Sequence, residues 1–266
     1  MSSAAVVPIA GETRSQRSLV WRQFRRHKLA VASAVVLILL ILVGTFADQI
    51  APHDPNAINA AYARGKPQPP SAEYLLGTDN YGRDYLARTM VGLRISLVVG
   101  VTAVAFQLAI GITVGALAGY FGGWVDNLLM RITDIFLSIP AFLLLLIMAG
   151  ILGGGLLSLI IAIGALNWMT VARLVRAEIL SLKEREFVVA GRSIGVPAWR
   201  LILVYLLPNT AGSIIVAATL AVPSAILTES ALSFLGLGVP PPNASLGNML
   251  GEAQQWIRTS WWIWIV

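Results

Sequence analysis

Charge-free stretches alternate with polar segments along the chain, at residues 29–47, 95–125, 135–172 and 201–228. A helix of about 20 apolar residues crosses the hydrocarbon core of a bilayer. The third stretch is too long for one crossing, and the glycines at 153–155 interrupt it, so it predicts a helical hairpin. The pattern therefore predicts an all-α membrane protein with five full transmembrane helices.

The first charge-free stretch follows a basic segment, residues 1–28, and we expect residues 29–47 to form the first transmembrane helix. Lysine and arginine next to a span stay on the cytoplasmic side, so the N-terminus is predicted to be cytoplasmic. A cleaved signal peptide is the alternative, because Thr45-Phe46-Ala47 has the small-x-small form of a cleavage site. The apolar run is longer than the roughly 7–15 residues of such a peptide, which favours a span.

Residues 48–94 are predicted to form an extracytoplasmic loop that contains a surface helix, because several prolines in this segment oppose a further span. Thr78 or Asp79 is expected to cap a short helix that reaches Gly92 and lies at the bilayer surface. The acidic residues also suggest a calcium site. Their spacing does not match a 12-residue calcium loop, so capping is the favoured role.

Residues 95–266 are predicted to form the core of the protein. The first span of this region is expected to end near residues 119–123, and its small residues favour packing against another helix over lining a pore. Pro140 is expected to kink the first arm of the hairpin. Residues 244–258 predict a second outer segment with weak helical character. Only eight residues remain from Thr259 onward, so a sixth helix is predicted to be incomplete.

The composition agrees with a membrane location. Hydrophobic residues make up 57% of the chain and charged residues only 12%, against about 25% charged in soluble domains. The net charge of +6 is attributed to lysines and arginines that set topology rather than to nucleic-acid binding. The chain has no cysteine, which excludes disulfides and cysteine metal sites.

No set of residues along the chain has the pattern of a catalytic or metal site. The two histidines, His27 and His53, are predicted to lie on opposite sides of a span and so cannot share a metal ion. The sequence contains neither a Gly-x-Ser-x-Gly nucleophile motif nor a phosphate-binding loop. If ATP drives this protein, another subunit must therefore bind the nucleotide.

Residues 173–207 form a charged, glycine-punctuated segment predicted to lie on the cytoplasmic side. Gly195 is suited to the left-handed residue that ends a helix, and Pro197 prevents the helix from continuing. The segment therefore predicts helix, glycine turn, helix. An apolar face on the first helix suits either a groove in a partner protein or lipid headgroups. The residues on that face are Phe187, Ala190, Gly191 and Ile194.

Three further polar residues are candidates for the transport path. Glu229 lies next to a predicted span, and acidic residues at membrane depth are functional candidates. The favoured interpretation places it at the outer mouth, wet or paired with a base of a partner subunit. Asn167 and Asn209 either line the path or form hydrogen bonds between helices.

Two short patterns resemble the cytoplasmic loop motif of permease subunits of ATP-binding-cassette importers. Residues 189–195 and 205–208, which end at Pro208, have the spacing of Glu-Ala-Ala-x3-Gly-x9-Ile-x-Leu-Pro, with departures at the Glu, second Ala and Ile positions. Residues 76–84, 119–126 and 227–238 also resemble the second permease of dipeptide, oligopeptide and nickel importers. The resemblance covers about residues 20–262.

The resemblance implies the fold of a type I ABC importer transmembrane domain, in which residues 187–195 form a coupling helix. It implies a multi-pass protein of a bacterial-type inner membrane, with no catalytic residues and no cofactor of its own. The implied partners are a homologous permease, two ATPase subunits that bind ATP and Mg²⁺, and an extracytoplasmic binding protein that delivers a peptide.

Two other classes of function stay open from the residues alone. An ion-coupled secondary transporter would carry inverted repeats and ionisable residues at mid-membrane. A non-transporting scaffold would use the cytoplasmic segment only to recruit a soluble protein. The substrate also stays open among dipeptides, longer peptides and nickel chelates.

Overall fold

A computed structural model describes residues 16–265 of the chain, which are helical throughout except for turns and loops. Within that range no β-strand forms, and the strand-like pairing is limited to isolated bridges of Thr78 with Gln68 and Asp84. The chain divides into two units at Leu42–Val43. The all-α prediction is confirmed.

The first unit contains an amphipathic helix and most of an apolar one. Helix α1 covers Gln16–Arg26, and helix α2 covers Lys28–Thr45, which continues into the second unit. Helix α2 has a mean hydropathy of 2.5 over 18 residues, enough to cross a membrane. Its bounds agree with the predicted first span to within two residues.

The second unit begins with the short helix α3 (Ala47–Ile50), an irregular loop and the long helix α4 (Tyr85–Phe121). The predicted separate surface helix is wrong, because α4 runs unbroken for 37 residues. The predicted caps are also wrong. Asp84 caps α4 by accepting hydrogen bonds from the backbone N–H groups of Leu86 (2.9 Å) and Ala87 (3.4 Å).

Gly92 lies within α4 and does not end it. This glycine allows a close contact with the second outer segment, residues 244–258. A Cβ on Gly92 would lie 3.3 Å from the backbone of Ser245 and Leu246. At about 1.5 Å per residue, α4 is roughly 55 Å long, against a hydrocarbon core of about 30 Å. The helix therefore extends beyond the hydrocarbon core, and the residues of its first turns face the outer loop.

The predicted hairpin forms, but its first arm is broken. Helix α5 covers Gly123–Ser138 and helix α6 covers Ala141–Leu152, and the two are bent by 87° at Ile139 and Pro140. The kink predicted at Pro140 is thus confirmed, whereas a straight arm is not formed. Helix α6 has only 12 residues, about 18 Å, and does not cross the core by itself.

The second arm of the hairpin is longer than predicted. Helices α7 (Leu156–Ala165) and α8 (Trp168–Leu182) form one candidate span, with an interruption at Leu166 and Asn167. The charge-free stretch ends at Ala172, but the helix continues for about three turns into the charged segment, because arginine and glutamate are good helix formers.

The remaining helices include the predicted cytoplasmic segment and the last long span. Helix α9 covers Glu186–Ser193, followed by α10 (Ala198–Arg200), a π-helical segment (Leu201–Leu206), α11 (Leu207–Phe234), α12 (Leu246–Ala253), a 3₁₀ turn (Gln254–Trp256) and α13 (Trp262–Ile265). The segment Ala198–Phe234 is continuous and apolar enough to span, although it contains Pro223. The described residues hold four candidate spans, or five if the bent pair counts as one.

Glycines on α4 allow this helix to pack closely against α8. A Cβ on Gly115 would lie 2.5 Å from the carbonyl oxygen of Ala172, and one on Gly111 would lie 2.6 Å from Cβ of Val171. Such distances leave no room for a side chain, as is typical of closely packed membrane helices. The prediction that small residues in this span serve helix packing is therefore confirmed.

Candidate functional site

Helix α9 ends in the turn that its sequence predicts. Gly195 has φ +80°, and its N–H donates to the carbonyl of Arg192 at 2.9 Å. The N–H of Val196 donates to the carbonyl of Gly191 at 3.0 Å, which closes the turn. Pro197 then precedes α10. These backbone hydrogen bonds end α9 and set the direction in which the chain continues.

One face of α9 is exposed and apolar. Phe187 is 41% exposed and Ile194 is 80% exposed, with Ala190 exposed between them. Val189 is also exposed, on the flank of this face. An exposed apolar patch on a short helix is typical of a protein-contact surface. We call Phe187, Ala190 and Ile194 the α9 surface.

Gly191 is not part of the α9 surface, which corrects the sequence prediction. It is buried, and a Cβ at this position would lie 3.0 Å from Cδ2 of Leu201. Val188, three residues earlier on the same side of the helix, is fully buried among Ile179, Ile202 and other core residues. The two residues hold α9 against the bundle and leave the opposite face free.

Charged side chains connect α9 and α8 to the end of α4. The guanidinium of Arg192 lies 5.3 Å from the ring centre of Tyr120, within the range of a cation–π contact. Lys183 Nζ donates to the carbonyl of Gly119 at 3.3 Å. Arg176 donates to both carboxylate oxygens of Asp126, at 2.5 and 2.6 Å. Arg192 thus reaches from α9 to the end of α4, and Arg176 joins α8 to the start of α5.

Pro208 lies apart from the α9 surface, in the first turn of α11. It follows the π-helical segment, Leu201–Leu206. A wider turn accommodates a proline ring, which would otherwise clash with the carbonyl four residues earlier. Pro208 therefore shapes the start of the last span rather than a contact surface.

A cavity of ≈ 410 Å³ lies between α4, α8 and α11. It contains Asn167, which the sequence placed on the transport path. The polar side chains that line it, besides Asn167, are Gln107, Thr170, Ser224 and Thr228. Sequence reasoning missed Gln107, although it is the single amide side chain in the charge-free stretch 95–125, and that isolation was the available signal.

The structure does not bring Asn209 to this cavity. Asn209 is exposed near the start of α11, and its Nδ2 donates to the carbonyl of Tyr205 at 2.6 Å. The side-chain amide of Asn209 thus donates to a backbone carbonyl one turn earlier. A role of Asn209 on the path stays a prediction without geometric support.

Glu229 has 0% exposure, which contradicts its predicted position in water or against a partner subunit. Its two carboxylate oxygens accept hydrogen bonds at 2.7 Å, one from Ser96 Oγ on α4 and one from Ser233 Oγ on α11. Ser233 lies four residues after Glu229 on the same helix, whereas Ser96 reaches the acid only when α4 and α11 pack together. The sequence could not show that second contact. We call Glu229, Ser96 and Ser233 the Glu229 cluster.

A second polar group, which the sequence did not single out, lies where α4 begins. Arg83 Nε donates to Asp79 at 2.6 Å, and Arg88 lies 3.5 Å from the same carboxylate. Glu252 on α12 lies 3.7 and 3.8 Å from these two arginines. Burial raises the pKa of Glu252 despite the nearby arginines. These contacts tie the outer loop to α4 and α12.

Among the described residues, no three His, Asp or Glu side chains are close enough to hold a metal ion.

Sequence comparisons place the chain among transport proteins. The model of the family described as "Binding-protein-dependent transport system inner membrane component" matches residues 111–266. A second model, "N-terminal TM domain of oligopeptide transport permease C", matches residues 15–70. The two matches together cover the first span and most of the core.

Two named relatives are about 40% identical to this chain over the aligned residues. The oligopeptide transport system permease protein OppC of Bacillus subtilis is 40% identical over 90% of this chain and 79% of its own length. The dipeptide transport system permease protein DppC of the same organism is 39% identical over 91% of this chain and 75% of its own length.

A solved structure, the inward-facing MetNI methionine ABC transporter, matches with a TM-score of 0.48 and 21% identity over 64% of this chain and 80% of that chain. The sequence matches carry the assignment. The chain belongs to the binding-protein-dependent transport system inner membrane components, the permease family of ABC importers, alongside the oligopeptide and dipeptide permeases.

Proposed function

We propose that this chain is a transmembrane subunit of an ATP-driven importer and forms, with a homologous permease, the path for peptides delivered by an extracytoplasmic binding protein. The names of the relatives support peptides as the substrate class. The proposed location is a bacterial-type inner membrane, with the N-terminus in the cytoplasm because its flank is basic.

ATP and Mg²⁺ are bound by two partner ATPase subunits, and this chain catalyses no reaction. Its sequence offers no phosphate-binding loop for a nucleotide. The work of ATP hydrolysis must then reach the spans through a contact between proteins, as a rigid-body displacement.

The observation that carries the proposal is the α9 surface. The helix is held on one side by buried Val188 and presents Phe187 and Ile194 on the other. It is also connected through Arg192 to Tyr120 at the end of α4. A short helix that is anchored inside and apolar outside suits a cleft in an ATPase subunit.

Replacing Phe187 tests the contact. An aromatic anchor at an interface contributes about 2 kcal/mol or more, so Phe187→Asp should weaken ATPase binding at least about 30-fold. Phe187→Leu is the matched control, because it keeps an apolar side chain at the same place. The measurement is co-purification of ATPase subunits from detergent, followed by ATP-driven peptide uptake in proteoliposomes. Unchanged binding and uptake by Phe187→Asp would refute the coupling role.

The two alternative classes are separated by what the chain does in isolation. Proteoliposomes that contain only this chain should take up no peptide under an ion gradient, because the proposed path needs a second permease and ATPases. Gradient-driven uptake would support an ion-coupled transporter. A complete complex that hydrolyses ATP yet moves no peptide would support a scaffold.

A further inference from the structure

Gln107 makes no side-chain hydrogen bond to another described residue, and it borders a cavity. It lies on α4, twelve residues after Ile95 and fourteen before Phe121, which places it near the middle of the charge-free part of this helix. It is only 5% exposed and lines the cavity between α4, α8 and α11. An amide that pairs with no protein group and faces a cavity has its donors and acceptor available for water or a ligand.

The span opposite Gln107 is interrupted at the same cavity. Helix α7 ends at Ala165 and α8 begins at Trp168, with Leu166 and Asn167 between them. Asn167 Nδ2 donates to the carbonyl of Ile163 at 2.7 Å, which leaves its Oδ1 to accept from another group. Interrupted helices within a membrane occur where the backbone is buried or lines a cavity that receives water or substrate.

The lining of the cavity restricts the chemistry of a ligand. It contains two amides, three hydroxyl groups and apolar side chains, but no charged residue. A metal ion would need carboxylate or imidazole ligands, and a carboxylate would need a cation. Amides offer donors and acceptors together. The lining is therefore complementary to a neutral group that also donates and accepts.

A peptide backbone in extended conformation is such a group. The N–H and C=O of one residue point to the same side of an extended strand, as they do when two residues of an antiparallel pair exchange both hydrogen bonds. One side-chain amide can satisfy both. Recognition of this kind does not depend on the side chains of the peptide, and a volume of ≈ 410 Å³ lies within the usual range for ligand sites.

We infer that Gln107 and Asn167 form an uncharged amide subsite that binds the backbone N–H and C=O of a peptide during its passage. This inference rests on the proposed function and adds that the path reads the backbone of the substrate. Gln107 makes the paired contact, and Asn167 Oδ1 accepts from a second N–H.

The test uses the complete importer in proteoliposomes, with the binding protein saturated by trialanine or by trialanine N-methylated at one backbone amide. N-methylation removes one donor and leaves charge and side chains unchanged. Wild type should transport at least one methylated form about tenfold more slowly, the value of one hydrogen bond of about 1.4 kcal/mol. Gln107→Leu should transport trialanine about tenfold more slowly, and its ratio of rates for the two peptides should approach one.

Two further variants complete the design. Gln107→Glu keeps the length and the acceptors but loses the donors in its ionised form, so it should transport both peptides more slowly and keep the wild-type ratio. Thr102→Val changes an exposed side chain of the same helix, whose hydroxyl bonds only to its own helix, and should behave as wild type.

The outcomes are distinct. If wild type transports trialanine and Gln107→Leu keeps the full wild-type rate and ratio, the subsite is wrong and the importer proposal stands. If Gln107→Leu fails to assemble with the partner permease, the cavity holds a side chain of that subunit, and the subsite is again wrong. If wild type transports no peptide, the proposed function fails first.

Discussion

Two polar side chains are buried in the same helical bundle, but one is fully hydrogen-bonded and the other faces a cavity. Glu229 accepts two hydrogen bonds of 2.7 Å from Ser96 and Ser233 and has no exposure. Gln107, also on the interior side of its helix, makes no hydrogen bond among the described residues and borders a cavity. A buried polar group that is fully paired stabilises a fold, whereas an amide that faces a cavity keeps its donors and acceptor for water or a ligand.

Close packing accounts for the enclosure of Glu229. A Cβ on Gly100 of α4 would lie 2.6 Å from Ile226, so this glycine brings α4 and α11 together next to the acid. The turn after α11 covers the cluster, because Gly238 lies against Ser233. Around Gln107 the side chains of α4, α8 and α11 leave a cavity of ≈ 410 Å³.

The largest expected effect is that of Glu229→Ala. The substitution leaves Ser96 and Ser233 without their acceptor and opens a cavity, and we expect a loss of about 3 kcal/mol in the free energy of unfolding. Thermal unfolding in detergent, followed by tryptophan fluorescence, measures it. Ser230→Ala is the control, because Ser230 Oγ lies 3.5 Å from the Glu229 carboxylate, at the upper limit for a hydrogen bond, and therefore stabilises it little. Equal midpoints for the two variants would contradict a structural role for Glu229.

Ser233→Ala should have a smaller effect of the same sign. Ser233 Oγ donates to Glu229 and accepts from the N–H of Val239 at 3.3 Å. A hydrogen bond within a protein contributes about 0.5–1.5 kcal/mol. We therefore expect a loss of about 1 kcal/mol in the same unfolding assay. The loss should become smaller in the Glu229→Ala background, where only the bond to Val239 remains, and additive losses would show that the pair does not act as one unit.

Gln107→Leu should reverse the sign on stability. Replacing an amide that pairs with no protein group by an apolar side chain of similar volume is expected to raise the free energy of unfolding by up to about 1 kcal/mol. A gain in stability together with slower peptide transport would place Gln107 in the path. A clear loss of stability would show that this amide is already paired within the assembled protein.

The smallest expected effect is the pH dependence of stability that Glu252 produces. Its carboxylate is only partly compensated by nearby arginines, so it is intermediate between Glu229 and Gln107. Burial raises its pKa above 4.5, because arginines at 3.7 and 3.8 Å do not fully offset desolvation. Its contribution to stability is therefore complete below pH 4.5 and is lost as pH rises through the folded-state pKa. Between pH 4.5 and the folded-state pKa, the free energy of unfolding of wild type should fall relative to that of Glu252→Gln. Parallel pH profiles would contradict this.

Patterns local to the chain predicted most of the helices. The charge-free run at 29–47 matches α2, the glycines at 153–155 form the hairpin turn, and Gly195 ends α9 with a positive φ. These features depend on neighbours in sequence, because a glycine turn or an apolar run determines its own conformation. The bend at Pro140 was predicted for the same reason, although its size of 87° was not.

The errors came from positions where two equally good local choices existed. Asp79 and Asp84 are both capable helix caps, and Asp79 instead pairs with Arg83 in the folded loop. Gly191 shares a helical face with Phe187 by spacing, but its missing side chain lets Leu201 approach, and so it turns inward. The choice in each case depended on a contact that forms only on folding.

The sequence by itself determined that the chain is helical, spans a membrane and presents a short apolar helix between charged segments. Hydrophobicity and glycine act locally and need no partner. The tertiary structure alone decided that Glu229 is enclosed and Gln107 is left open to a cavity. Hydrogen-bond satisfaction of a buried group depends on which helices meet beside it, and neither composition nor spacing along the chain contains that information.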